Sequence, residues 1–390
     1  MRWRCSPLAF SPHISYSRRM ISHCPTHEIA HAHNRNYCMS TATSSRIHKF
    51  VQLPKHRCLH SGHPHRPTCT MEARGLSTSA RDGHDSSSNG KSLLEQLFDL
   101  EEIDENRYRG RTTWYPFGAT YTYGGQAIAQ SMMAAGLSLV SEHRDKIINS
   151  VHTYFVRHGT HDQDIMYEVD DVRDGKNYST RRVDASQNGR IFCTSIISFH
   201  RHDASSPMEH QDEMPADMPQ PDELYETTHL RKKYFESRGS ADQLAWYRRF
   251  PDDQLHYRNI LHPKDMPIDE LLSVDESSGI TMWQQLKQPL VSRSHLVHQC
   301  MLGYLTDLGI CRSAVSRNRS LVKVPMFTSL DHTIWFHRPA MIADDDWFLY
   351  QTQSPVSAGG RGLNLGRLFS KDGVLLASTA QEGAYRASKL

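Results

Sequence analysis

YGGQAIAQSMMAAGLSLV, residues 123–140, opens on two glycines and continues as a run of small and apolar residues. A helix of that composition can be gripped closely on nearly every side, so the stretch reads as a buried central helix rather than a surface one. The next fifty residues are of another kind. VHTYFVRHG (151–159), DIMYEVDDVRDG (164–175), NYSTRRVDASQNG (177–189) and RIFCTSIISFHR (190–201) are rich in β-branched and aromatic residues and punctuated by Asp-Gly and Asn-Gly. Those dipeptides favour tight hairpins, which makes the four runs an antiparallel meander. Upstream, SLLEQLFDLEEID begins on Ser92, an N-cap residue ahead of Leu93, Leu94, Leu97 and Phe98 at helical spacing.

The order of helix and then meander recurs in the last third of the chain. SHLVHQCMLGYLTDL (294–308) carries Leu296, Val297, Met301, Tyr304, Leu305 and Leu308 at helical spacing. LDHTIWFHRPA, DWFLYQTQSPV, GRGLNLGRLFSKDG and VLLASTAQEGAYR then read as strands, and His152-Thr153 is echoed 180 residues later by His332-Thr333. The pattern implies two copies of one supersecondary unit, each with a long apolar helix and a sheet with one apolar face. A sheet wrapped around a helix, twice, is an α+β layer architecture. The expected organisation is an N-terminal extension (1–90), a first unit (91–205), an irregular linking segment (206–293) and a second unit (294–390). SPMEHQDEMPADMPQPDEL (206–224), Pro-rich and acidic, is the core of that link. WYRRFPDD and MWQQLKQP set aromatics beside basic residues, but an edge strand or packed loop fits them better than a nucleic-acid surface, because the net charge is only +2.

The first 90 residues are unlike the rest: five of the eight Cys, eleven of the 25 His and only four acidic residues, Glu28, Glu72, Asp82 and Asp85. Few apolar positions recur there with any period, so the stretch reads as disordered or processed. An organelle transit peptide ending near ARGLSTSARDG (73–83) fits, as does an upstream extension with Met39 or Met71 as the start. His27-Glu28-Ile29-Ala30-His31 satisfies H-E-x-x-H, which on a helix would hold zinc with Glu28 as base. In a tail this rich in His the pattern arises by chance, and no core is at hand to hold it. Cys193, Cys300 and Cys311 are too sparse for a disulfide framework. With a mean hydropathy of −0.61 and no run of 18 apolar residues, no membrane span is expected.

The chain has no G-x-S-x-G elbow and no Walker loop. GGRGLNLG (359–366) lacks dinucleotide spacing and lies in a β-rich run, where glycine marks a bulge. Read without further context, Asp307 is a helix-end residue, Ser329 a turn residue and Gln381 a strand-face polar group.

A resemblance brings these positions together. LFDLEEIDENRYRG leading to GGQAIAQSMMAA, then VHTYFVRHG, RDGKNYSTRRVDASQNGRIF, MEHQDEMP, LGYLTDL, SLDHTIWFHRP and KDGVLLASTAQEG, in that order, resemble the type II acyl-CoA thioesterases, a bacterial and peroxisomal family built as a double hotdog. The resemblance covers Leu93 to Arg386 and departs at 311–328, where the usual Pro- and Gly-containing loop is not evident. It implies two fused hotdog repeats and hydrolysis of fatty acyl-CoA to free acid and CoA, with acyl-CoA as the bound partner and no metal or organic cofactor. It assigns Asp307, Ser329 and Gln381 to holding the hydrolytic water. A water needs no covalent nucleophile to attack a thioester carbonyl, and an ordinary Asp, with a pKa of about 4, can take its proton at neutral pH. Backbone N–H groups of Gly124 and Gly125, at a helix start, are candidates for stabilising the oxyanion. Arg181, Arg182 and Lys176 are available to the CoA phosphates, but a strand-face charge is usually just solvated and none of them is chosen, while His152, His332 and His337 read as packed or hydrogen-bonded strand residues. A binding protein without turnover and, more remotely, a zinc hydrolase using the 27–31 motif are the rival classes. Ser388-Lys389-Leu390 matches a receptor-read peroxisomal signal, with an import receptor as partner, a matrix location and mitochondrial dual targeting if the leader competes. AYRA (384–387) should lift that tag clear. The sheet edges of a fused repeat also suit homo-oligomerisation.

Overall fold

A computed structural model describes residues 90–111, 121–203, 205, 207–240, 255–267, 280–318, 322–338 and 346–389. The 27–31 motif, Met39, Met71, the 73–83 stretch, WYRRFPDD and Leu390 lie outside the described residues.

The first half begins with α1 (Leu93–Phe98), closed by a capping box in which Ser92 and Glu95 satisfy each other's backbone N–H. A hairpin, β1 (Glu101–Asp104) and β2 (Arg107–Gly110), precedes the central helix α2 (Gly124–Leu137). The meander comes next as β3 (Lys146–Phe155), β4 (Ile165–Asp174), β5 (Tyr178–Gln187) and β6 (Arg190–Arg201). Asn188 and Gly189 both take positive φ, 49° and 70°, as a two-residue hairpin between twisted strands requires. After α3 (Thr227–Arg238), the second half contributes β7 (Leu255–Asn259), β8 (Ile280–Leu286), the helices α4 (His295–Thr306) and α5 (Arg312–Asn318), β9 (Val322–Ser329) and β10 (Asp331–Phe336). It closes with β11 (Phe348–Ala358), β12 (Arg361–Ser370) and β13 (Leu375–Lys389).

The strands join in one sheet, β1-β2-β4-β5-β6-β3-β10-β13-β12-β11-β8-β7, with β9 paired to β13. Outward from the central β3–β10 contact, the first half reads β3, β6, β5, β4, β2, β1 and the second β10, β13, β12, β11, β8, β7. The two series match position for position, so the repeat is real: an antiparallel sheet around a long helix, twice, the double hotdog the resemblance implies. The inner sheet faces and both long helices share one core, including Ile128 and Met132 of α2, Met301 and Leu305 of α4, and Val151, Ile197, Tyr350 and Leu368 of the strands.

The segment read as an irregular link, 206–293, contains β7 and β8, which join the second half of the sheet through β11. Their alternation is hidden because β8 is buried on both sides. Met282 and Leu286 face the core, while Trp283 packs outward against Leu224, Leu349 and Phe369, with Met214 and Met218 over them. The acidic stretch is thus a strap over the outer face, held by Trp283 Nε1 donating to the Pro219 carbonyl at 2.9 Å and by Arg367 on Asp212 at 2.8 Å. Gly359 and Gly360, read as a bulge, form the two-residue turn between β11 and β12, with φ of 58° and 76°. Within the stretch that departs from the family pattern, Arg312–Asn318 form α5 and Val322–Ser329 form β9. AYRA does not stand clear of the fold, because Arg386 pairs with Met326 and Ser388 with Lys323 on β9.

The echo of His-Thr at 152 and 332 is out of step by one residue. In the β3–β10 ladder His332 lies opposite Thr153, and both are buried, whereas His152 is exposed. Side chains alternate along a strand, so a one-residue slip would exchange inside for outside. The matching bulges of the two halves, Ala185/Ser186 against Cys193/Ile191 and Leu368/Phe369 against Ala377/Leu375, make Ile197 the equivalent of Gln381 and its ladder partner Val151 the equivalent of His332.

Candidate active site

Asp307 is the residue that closes α4, with φ −78° and ψ −16°, and is partly buried. Its carboxylate reaches across to the other half of the molecule. Oδ2 accepts from the Gly125 N–H at 2.8 Å, at the first turn of α2. A helix start presents unpaired N–H groups and positive potential, so an anion is favoured there. The two glycines make room for it. A Cβ on Gly124 would stand 2.8 Å from Asp307 Oδ2, and one on Gly125 would stand 2.6 Å from the Tyr304 carbonyl oxygen.

The other carboxylate oxygen, Oδ1, accepts from Gln381 Nε2 at 3.1 Å. Gln381 lies on the inward face of β13, 1% exposed, where that strand's pairing passes from β10 to β9. The same Nε2 donates to Ser329 Oγ at 2.6 Å and lies 3.3 Å from Cys311 Sγ. Ser329 ends β9 opposite Gly383. Asp307, Ser329 and Gln381 thus come from a helix end and two strands into one hydrogen-bonded cluster. Gly124 and Gly125 lie beside it, though the Gly125 N–H is occupied by Asp307.

Behind the cluster is a layer that spacing alone does not reveal. His332, fully buried, has Nδ1 2.5 Å from Gln381 Oε1, and its Nε2 is 3.1 Å from Thr306 Oγ1. Burial pushes the His332 pKa below the usual histidine range, outweighing the opposing pull of the Asp307 charge. Burial likewise pushes the Cys311 thiol up to about 12, with the Asp307 charge adding to it, so the sulfur next to Gln381 stays protonated. Asn364, also buried, accepts from the Ala314 N–H at 2.9 Å and donates to the Gln381 carbonyl at 3.2 Å, tying the start of α5 to β13. A histidine in a strand and a cysteine beyond a helix end have ordinary core explanations, and only the fold brings residues 306, 311, 329, 332 and 381 together.

The arginines offered to CoA stand elsewhere. Arg181 is fully buried and held by Asp171 at 2.7 Å, Asp174 at 3.0 Å and Ser138 Oγ at 3.2 Å, at the far end of α2. That end is about 20 Å from Asp307 at a rise of roughly 1.5 Å per residue. Arg182 pairs with Asp170 and Asp184 on the outer face. Among the described residues no helix is long and apolar enough to cross a membrane.

The chain is similar to known proteins of one family. A family model described as acyl-CoA thioesterase matches residues 272–384, and one described as acyl-CoA thioesterase N-terminal domain matches 111–200. Acyl-coenzyme A thioesterase 8 of Mus musculus is 34% identical over 307 residues, covering 75% of this chain and 89% of the mouse protein. The peroxisomal acyl-coenzyme A thioester hydrolase 1 of Saccharomyces cerevisiae is 24% identical, over 75% of this chain and 94% of its own. Among solved structures, the acyl-CoA thioesterase II TesB2 of Mycobacterium marinum superimposes with a TM-score of 0.56 at 28% identity, over 76% of this chain and 98% of that one.

Proposed function

Because the chain belongs to the acyl-CoA thioesterases, thioester hydrolases, we propose that it cleaves fatty acyl-CoA by direct attack of a water held by Asp307, Ser329 and Gln381. The observation that carries this reading is the buried amide of Gln381 donating to both Asp307 Oδ1 and Ser329 Oγ. That leaves Asp307 with lone pairs for a water proton and leaves the Ser329 hydroxyl hydrogen to be donated.

Asp307 takes one proton as the water oxygen bonds to the thioester carbonyl carbon, and the carbonyl becomes an oxyanion. Collapse breaks the C–S bond, and the leaving thiolate takes the proton back from Asp307, releasing acid and CoA. With the Gly125 N–H engaged by the base, the Gly124 N–H is the oxyanion donor in this scheme. Two observations favour water over a covalent intermediate. Both Asp307 oxygens already accept hydrogen bonds, which lowers their nucleophilicity, and the Cys311 thiol is protonated. A single turnover in oxygen-18 water should label the released fatty acid and leave the protein unlabelled. Label recovered in Asp307 would overturn direct attack.

The proposed location is the peroxisomal matrix, reached through an import receptor that reads Ser388-Lys389-Leu390. The tripeptide and the name of the yeast relative support it. Imaging a tagged chain with and without its last three residues tests this, and unchanged peroxisomal signal after their removal would sink it.

A further inference from the structure

We propose that His332 is a positioning residue for the hydrolytic water: as the Nδ1–H tautomer it fixes the Gln381 amide with its NH2 group toward Asp307 and Ser329. The inference rests on the proposed roles of those three residues and adds a fourth that acts through one of them.

Donor and acceptor chemistry leaves one arrangement. A carboxylate oxygen can only accept, so the Gln381 atom 3.1 Å from Asp307 Oδ1 is the amide nitrogen. A flipped amide would set oxygen against oxygen there. The atom facing His332 is then Oε1, which also only accepts, so His332 Nδ1 carries the proton across the 2.5 Å contact. In the neutral ring Nε2 is an acceptor, and the Thr306 hydroxyl, 3.1 Å from it and 3.0 Å from the Gly303 carbonyl oxygen, has these two acceptors for its one hydrogen; in the proposed chain it donates to Nε2. Neutrality suits a fully buried imidazole. Thr306, His332 and Gln381 therefore form one directed chain of hydrogen bonds ending on Asp307 and Ser329. Without the His332 donor, the amide is held only on its Nε2 side, by Asp307 and Ser329.

The first repeat supplies an internal comparison. Val151 and Ile197, the equivalents of His332 and Gln381, lie opposite each other on β3 and β6, both apolar and fully buried. That pair can orient nothing beyond itself. The donor facing an amide is found in the half that carries Asp307.

The test compares two polar replacements in the full chain, with folding checked by circular dichroism. His332→Asn keeps a donor near the Nδ1 position, whereas His332→Gln places its amide near Nε2 and abandons it. His332→Gln should lower kcat about 10- to 100-fold at little cost in KM, and His332→Asn should stay within about fivefold of wild type. In a Gln381→Ala background, His332→Gln should add less than about a twofold further loss, because the two act as one unit. Equal losses in the Asn and Gln variants, or a full additional loss in the Gln381→Ala background, would overturn the proposal. An unchanged kcat in Gln381→Ala alone would instead remove the site reading on which it stands. If His332→Gln does not fold, His332→Leu replaces it in the same comparison.

Discussion

His332 couples the site to stability as well as to geometry. Its pKa lies below the ordinary value of about 6.5 because the native state refuses it a proton that the unfolded chain accepts. Between the ordinary value and the depressed one the unfolded state binds more protons, so native stability falls as pH drops through about 6.5 and is constant above it. His200, partly buried, and His337, exposed, act in the same sense but are screened by solvent. Thermal unfolding should therefore show a midpoint that declines between about pH 7.5 and 5.5, with a shallower decline in His332→Asn. An equal slope in both proteins would mean that His332 titrates normally. At this scale the sequence was only partly informative. Asp307, Ser329 and Gln381 were singled out by resemblance, and none had a distinctive local pattern. His332, Thr306 and Cys311 could not be linked to them, because the contacts that define their roles cross long stretches of chain.

Among the elements, those with a clear local signal were legible: the small-residue helix α2, the largely apolar helix α4, the four strands of the first meander and the Asn-Gly turn. β7 and β8 were not, since β7 is five residues long and the strap buries the outer face of β8, removing its alternation. The first turn of α2 is the element on which the site depends most. Gly125→Ala would add helix propensity of about 1 kcal/mol, yet its Cβ would meet the Tyr304 carbonyl and the Tyr123 ring, both at 2.6 Å. Steric displacement costing about 1–3 kcal/mol should win. The variant should melt at lower temperature, and its kcat should fall because the N–H that anchors Asp307 moves. A variant more stable than wild type with full activity would show that α2 and α4 are not so closely packed.

On the scale of the whole molecule, duplication has produced two halves with the same strand order and unequal chemistry. The helix-closing position is Ser138 after α2 and Asp307 after α4, and the cross-strand pair is Val151 with Ile197 in one half and His332 with Gln381 in the other. The first half supplies the start of α2 as a seat for the carboxylate, and the second supplies the three residues proposed to hold the water. The repeat could be read from the order of helix and strands, but not its register, because a one-residue offset leaves the apolar content unchanged while exchanging the faces. The mechanism depends most directly on Asp307 as the base. The decisive measurement is CoA thiol release by the full chain and by Asp307→Asn with a panel of fatty acyl-CoAs. The wild-type chain should hydrolyse at least one of them. The variant, folded and with KM little changed, should lose about 10²- to 10⁴-fold in kcat. Near-normal release by a folded Asp307→Asn would contradict that role.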